Sequence, residues 1–305
     1  MKGNSFFTWK GLLLWSNHFY GIAASLLTIE TTLLILNQLP SFFLVAFIYI
    51  GTLVYYTYAY FNETSTGLYN ERSNWYQSNK GYLRIRQVFL ILLCFGIGVF
   101  KLQLIEIFIL LPIGLKIILC FAVLVTLLYY YAHKIFKRVN LRNKGLLKSM
   151  SIAWVWVVVC FILPIVIKSQ GKYNFSAHYA LLHLLQLYLF ILILAILFDI
   201  KDINRDNDEN IKTLVAKYGI KPIMYIFIFP LVLVYLWVAF FLFFRLHESF
   251  VYFLTSLLIS FLIVMVSYLV QKRKTIHENI LLIDGLILIK ALLGILLMLF
   301  AGKLT

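Results

Sequence analysis

Asp199, Asp202 and Asp206 stand at i, i+3 and i+7 in the stretch Phe198-Asp199-Ile200-Lys201-Asp202-Ile203-Asn204-Arg205-Asp206. On a helix these positions share one face. Five of the twelve acidic residues of the chain fall between Asp199 and Glu209. Three carboxylates on one face repel one another until a cation neutralises them. Magnesium, held by one or two carboxylates together with substrate phosphates, suits such a site. The competing reading is a solvated acidic cap at a helix end, an electrostatically poor place for carboxylates because the helix dipole is negative there.

The elements that must position this face follow from composition. The chain has 305 residues, is 63% hydrophobic and only 13% charged, and has a mean hydropathy of +0.92. A soluble globular chain is nearer half apolar and a quarter charged. A water-soluble domain, a disordered chain and a collagen-like fibre are therefore excluded. Apolar segments at 17–36, 40–61, 84–109, 113–132, 150–168, 178–198, 221–244, 250–270 and 280–300 are near the roughly 20 residues that cross a bilayer as a helix. They do not alternate as barrel strands would. The expectation is an all-α polytopic membrane helix bundle of about nine transmembrane helices, forming one integral membrane domain over residues 1–305. Lys101, Glu106, Pro112 and Lys116 interrupt the third and fourth spans and leave their turn unplaced. Met1 to Lys10 precedes a long apolar run without a small-residue cleavage site, which reads as a first span rather than a signal peptide.

The net charge is +15. No stretch resembles a folded nucleic-acid module, so no nucleic-acid partner is expected. Basic residues instead collect in loops and set topology. With nine spans, the N-terminal segment and the loops after spans two, four, six and eight share one side and hold twenty Lys and Arg residues, against six on the other. The N-terminus and these loops are therefore expected in the cytoplasm and the C-terminus outside, in a bacterial cytoplasmic membrane, with membrane lipid as a standing partner. Cys94, Cys120 and Cys160 lie within apolar runs without metal-type spacing and read as small buried hydrophobes. His178 and His183, five apart at a helix start, read as interfacial. Glu30, Asp284 and Lys290 fall inside spans, where ionisable groups face the bundle interior and seek partners. Asp284 and Lys290 are too far around one helix to pair with each other, and Glu30 with Lys290 is the interhelical alternative.

The pattern DxxDxxxD at the end of the sixth span, followed by Lys212-Thr213-Leu214 and Gly219, resembles the second aspartate-rich motif of the UbiA-type intramembrane prenyltransferases. The span and loop order is similar over nearly the whole chain: a polar motif from Asn62-Glu63 after span two, and Tyr129-Tyr130-Tyr131 leading into a basic loop after span four. The resemblance implies a nine-helix fold. It implies transfer of a prenyl group from its diphosphate to a lipophilic acceptor, with magnesium holding the diphosphate. It places Asp199 and Asp202, with Lys137 and Arg138, in the catalytic centre. Asn62, Glu63, Tyr130, Tyr131 and Lys212 would bind substrate, and Asp199, Asp202, Asp206 and Glu63 would hold the metal.

The first motif departs from the family pattern NDxxDxxxD. Asn62 matches and Glu63 is a longer carboxylate, but Thr66 and Asn70 replace the other two aspartates. Trp15-Ser16-Asn17-His18 stands where the family has an Arg-Pro pair. One metal site is complete and the other holds at most one carboxylate. Lys134, Lys137, Arg138, Arg142, Lys144 and Lys148 could stabilise a leaving diphosphate as its charge develops, or could serve topology and anionic lipid alone. Tyr129, Tyr130 and Tyr131, with Tyr56 and Tyr60, could face a prenyl carbocation or form an interfacial belt. The alternative function is a catalytically silent member of the fold acting as a binding subunit beside a membrane-protein partner. A transporter is disfavoured, because its coupling carboxylates would lie near mid-membrane.

The charge asymmetry generates a topology test. A cysteine introduced at position 208 should react with impermeant reagents only from the cytoplasmic side, and one at the C-terminus only from outside. The reverse labelling would refute the orientation.

Overall fold

The computed structural model describes residues 10–61, 71–135, 145–170, 176–201, 213–272 and 276–300. A π-helical turn, Lys10–Trp15, leads into α1 (His18–Leu36). It is followed by α2 (Phe42–Phe61), the short α3 (Glu71–Ser78), α4 (Lys80–Gly96), α5 (Leu104–Leu110) and α6 (Ile113–Ile135). Then come α7 (Gly145–Val157), α8 (Leu163–Ser169), α9 (Ala177–Lys201), α10 (Leu214–Tyr218) and α11 (Ile220–Ile223). The last three are α12 (Phe229–Leu246), α13 (Phe250–Lys272) and α14 (Ile276–Phe300). No strand occurs among the described residues.

Among the described residues, eight helical spans are long and apolar enough to cross a membrane. The expected span at 113–132 lies on α6, which has 23 residues, but its described apolar part, Ile113–Tyr129, is shorter than the other spans. The chain is an all-α polytopic membrane helix bundle. The outward faces carry Phe42, Phe89, Phe100, Leu233 and Phe261, all more than half exposed. In water such faces would be aggregation surfaces; around a bundle of spanning helices they are lipid-facing.

The third span is shorter than expected. It ends at Lys101, where a π turn (Ile97–Lys101) closes the helix. Gln103 then takes a left-handed conformation (φ 50°) and starts the separate α5. The run 84–109 is therefore two helices. Lys101 and Gln103, which interrupt the apolar run, stand at the break, and the flanking apolar residues on both sides are largely exposed. Two further π turns, Val158–Ile162 and Met224–Ile228, sit just before Pro164 and Pro230. A proline within a helix removes one N–H and clashes with the preceding turn, and a widened turn relieves that clash.

The core is built around α1 and α9, the two most buried spans. α1 packs against α2 and α14, and α9 against α7 and α12. Phe190, Ile193, Ile196 and Leu197 of α9 are fully enclosed. Of the cysteines, Cys160 is buried and Cys94 partly so, but Cys120 is exposed on α6 and is not the buried hydrophobe expected. His183 is enclosed by protein. It is 3% exposed and its Nδ1 lies 3.0 Å from the Tyr252 hydroxyl. Tyr252 donates to Gln186 Oε1, Gln186 Nε2 donates to Ser256 Oγ at 3.2 Å, and Tyr179 donates to Glu248. This polar network ties α9 to α13 at the end of the bundle remote from Asp199, because groups without water must be satisfied by one another.

Lys290 Nζ of α14 donates to both carboxylate oxygens of Glu30 on α1, each at 2.7 Å. This is the interhelical pair that the sequence analysis singled out. Gly294, one turn further along α14, makes room for it: a Cβ there would lie 2.2 Å from Glu30 Oε1. Removing one partner of a buried pair costs about 3–5 kcal/mol, whereas an apolar replacement of both is near neutral. Glu30→Leu alone or Lys290→Leu alone should therefore lower thermal stability in detergent markedly, and the double variant should recover most of it. Equal losses in all three variants would show that the pair is not what holds α1 to α14.

Candidate functional site

Asp199 lies on the last turn of α9, at the end of the bundle where α1 and α14 begin and α2 ends. It is 1% exposed. Lys148 Nζ of α7 contacts Asp199 Oδ1 at 2.6 Å, and Ser149 Oγ donates to Oδ2 at 3.4 Å. The packing of α7 against α9 brings these groups together. A carboxylate at a helix C-terminus faces the negative end of the dipole, and the Lys148 ammonium offsets that as well as the cost of burial. Asp199 is therefore turned into the bundle and is not part of a solvated acidic cap.

The continuation of the motif is structural at this point. Thr213, Leu214 and Val215 are all buried, and α10 packs against α9 and α7. Gly219 has φ 81° at the start of α11, a conformation that glycine adopts without strain.

A second polar group occupies the same end, formed by the start of α1, the end of α2, α3 and α4. Asn17 is fully buried; its Nδ2 donates to the Tyr76 hydroxyl at 2.7 Å and to Thr57 Oγ1 at 3.3 Å. Arg86 Nη2 donates to Thr57 Oγ1 at 2.9 Å and to the Ser16 carbonyl at 3.4 Å. The Arg72 guanidinium lies 4.1 Å from the centre of the Tyr60 ring and 5.3 Å from that of Trp15. Tyr20 stacks on Tyr56 at 4.3 Å, and Tyr56 accepts a hydrogen bond from Trp156 Nε1 at 3.0 Å. Burial, opposed by Arg72, pushes the Tyr76 hydroxyl up to about 12, so it remains neutral at physiological pH.

The tyrosines thus divide. Tyr56 and Tyr60 are interior groups engaged with Trp156 and Arg72. Tyr129 lines a lateral cleft between α2, α6 and α7 with Tyr55, Thr126 and Ser151. Tyr130 and Tyr131 lie on α6, but their side chains are outside the described residues. Asn62, Glu63, Lys137, Arg138, Asp202, Asp206 and Lys212 also lie outside the described residues. Of the four expected metal ligands, only Asp199 is described.

What the described donor set offers a magnesium ion is poor. Asp199 Oδ1 is already neutralised by an ammonium at contact distance, so a metal there must displace Lys148. The sequence analysis placed Lys148 in the basic cluster without assigning it a partner. Arg72, Arg86, Asn17 and Tyr76 were not expected as site residues. Their available signal is an arginine two positions beyond the degenerate first motif, set among Trp75, Tyr76 and Tyr60.

A scan against protein-family models finds no match to this chain, and neither does a search of curated proteins. The class therefore rests on the bundle and its loop-end site.

Lys148→Met removes the ammonium in contact with the buried Asp199 carboxylate, at a cost on the order of 3 kcal/mol. The variant should melt lower than the parent in detergent. Millimolar magnesium should raise the melting temperature of the variant and leave the parent unchanged. An equal response of both proteins would show that Asp199 is not open to a metal even without its lysine.

Proposed function

We propose that the chain is a UbiA-type intramembrane protein that binds a prenyl diphosphate at its loop end beside a lipophilic acceptor, with magnesium-dependent transfer weak or absent. The observation that carries this reading is the placement of Asp199, the first carboxylate of the DxxDxxxD pattern. It sits at the end of a spanning helix, enclosed by the bundle and in contact with a lysine at the end of the basic loop. A diphosphate site needs carboxylates, cations and an apolar neighbourhood at one place, and this end of the bundle offers them.

In this reading Asp202, Asp206, Glu63, Asn62, Lys137, Arg138 and Lys212 surround the diphosphate from loops on the cytoplasmic side of a bacterial membrane. Tyr130 and Tyr131 flank the prenyl chain. Catalysis would proceed by loss of diphosphate from the allylic carbon and attack by the acceptor. Aromatic faces stabilise the cationic carbon, and positive groups stabilise the departing oxyanion.

A second reading, a silent relative that serves as a subunit in a membrane complex, is favoured by one contact. The 2.6 Å ion pair with Lys148 closes the carboxylate that a catalytic metal would need.

A magnesium titration of geranylgeranyl diphosphate binding in nanodiscs tests both readings. The expected result is a small magnesium-dependent gain in affinity that disappears in Asp199→Ala/Asp202→Ala and grows in Thr66→Asp/Asn70→Asp, because each restored aspartate brings charge that Thr and Asn oxygens lack. A large gain that is insensitive to loss of Asp199 and Asp202 would refute the site. Prenyl-diphosphate binding without turnover of any lipophilic acceptor would select the silent-subunit reading.

A further inference from the structure

Arg72 is 6% exposed, and its Nε and Nη2 have no hydrogen-bond partner among the described residues. Arg86 is half-buried, and its Nε is likewise unsatisfied. Neither guanidinium has a carboxylate within ion-pair distance among the described residues. Asn17 links them: it donates to the Tyr76 hydroxyl and shares Thr57 Oγ1 with Arg86, and the Tyr60 ring against Arg72 lies 6.1 Å from the Tyr76 ring. The amide oxygen of the fully buried Asn17 is also without a partner.

Two cations stand at the end of an apolar bundle against neutral hydroxyls, an amide and ring faces; the nearest buried carboxylate, Asp284 of α14, acts on Tyr20 and Tyr56 and forms no ion pair with either guanidinium among the described residues, so the charge arrangement is incomplete. An uncompensated buried charge costs several kcal/mol. The aromatic faces of Tyr60 and Trp15 orient the Arg72 plane, but ring faces leave the in-plane N–H groups unused. Those N–H groups form the fork that matches an oxyanion.

We propose that Arg72, Arg86, Asn17 and Tyr76 form a metal-independent site for the phosphoryl headgroup of an amphiphile. A phosphoryl group fits better than a carboxylate because its several oxygens can meet two guanidinium forks and bring more than one negative charge. An amphiphile fits because Trp15, Tyr60 and Phe61 surround the site at the end of membrane-spanning helices. In the first aspartate-rich motif, Thr66 and Asn70 supply no charge to hold a metal. Two residues further on, Arg72 supplies positive charge directly from the protein. The anion site stands on this geometry alone; only the prenyl identity of the tail rests on the reading above.

The test uses the full chain in nanodiscs of phosphatidylcholine with EDTA present. The probes are geranylgeranyl diphosphate, inorganic pyrophosphate and, in a separate arm, phosphatidylglycerol added to the disc. Geranylgeranyl diphosphate should bind without magnesium. Arg72→Gln and Arg86→Gln should each weaken it by roughly tenfold or more, as loss of a desolvated charge contact does. Arg72→Lys, which keeps the charge but loses the fork, should retain part of the affinity in a protein that melts like the parent. Phosphatidylglycerol that displaces the probe, and that co-purifies with the parent but not with Arg72→Gln, would assign the site to a lipid headgroup. Failure to displace would assign it to the prenyl diphosphate. Pyrophosphate binding as tightly as geranylgeranyl diphosphate would keep the anion site and remove the prenyl reading. Binding that appears only with magnesium and is unchanged in Arg72→Gln would overturn this site while leaving the prenyl-diphosphate reading in place. No binding of any probe would overturn both.

Discussion

Within the spans of this bundle an ionisable side chain has no water to turn to, so each must find its counterpart in the protein. Glu30 and Lys290 show the constraint at its simplest, with one carboxylate and one ammonium in contact between α1 and α14. Because the contact is two-pronged and Gly294 shapes the space for it, the two helices hold one register. That register carries down to their shared end, where α1 presents Asn17 and Tyr20 and α14 presents Ile280 and Asp284, all of them buried. The loop-end site is assembled on a frame whose alignment is set inside the membrane.

At that end the same constraint has two different outcomes. On the α7–α9 side the charges cancel within the protein, Lys148 against Asp199. On the α1–α4 side, Arg72 and Arg86 keep N–H groups without a partner among the described residues, and the buried Asp284 forms no ion pair with either of them there. The first arrangement is closed to a further cation unless Lys148 moves. The second is open to an anion.

The architecture was legible in the sequence because lipid demands long apolar helices, and eight of the nine expected runs coincide with spans. The Glu30–Lys290 pair was legible for a related reason: few ionisable groups stand inside spans, so the choice of partners was short. The break at Gln103 was not, since both of its flanks face lipid and only the backbone turns. Burial of His183 was hidden because its partners, Tyr252 by direct contact and Glu248 nearby, stand almost seventy residues away. At the site, carboxylate spacing singled out Asp199 but could not say which of six neighbouring cations would reach it. Arg72 and Arg86 were counted as topology signals, because a count of basic residues does not register whether a guanidinium has a counter-ion.

The Glu30–Lys290 contact joins residues 260 positions apart. During synthesis α1 enters the bilayer long before α14 exists. Throughout that interval Glu30 must either carry a proton or stay near the lipid headgroups, because an ionised carboxylate is costly in hydrocarbon. Arrival of Lys290 ends that requirement and lets α1 settle to its final depth. A chain halted before α14 therefore keeps Glu30 within a span without the ammonium that contacts it in the finished bundle.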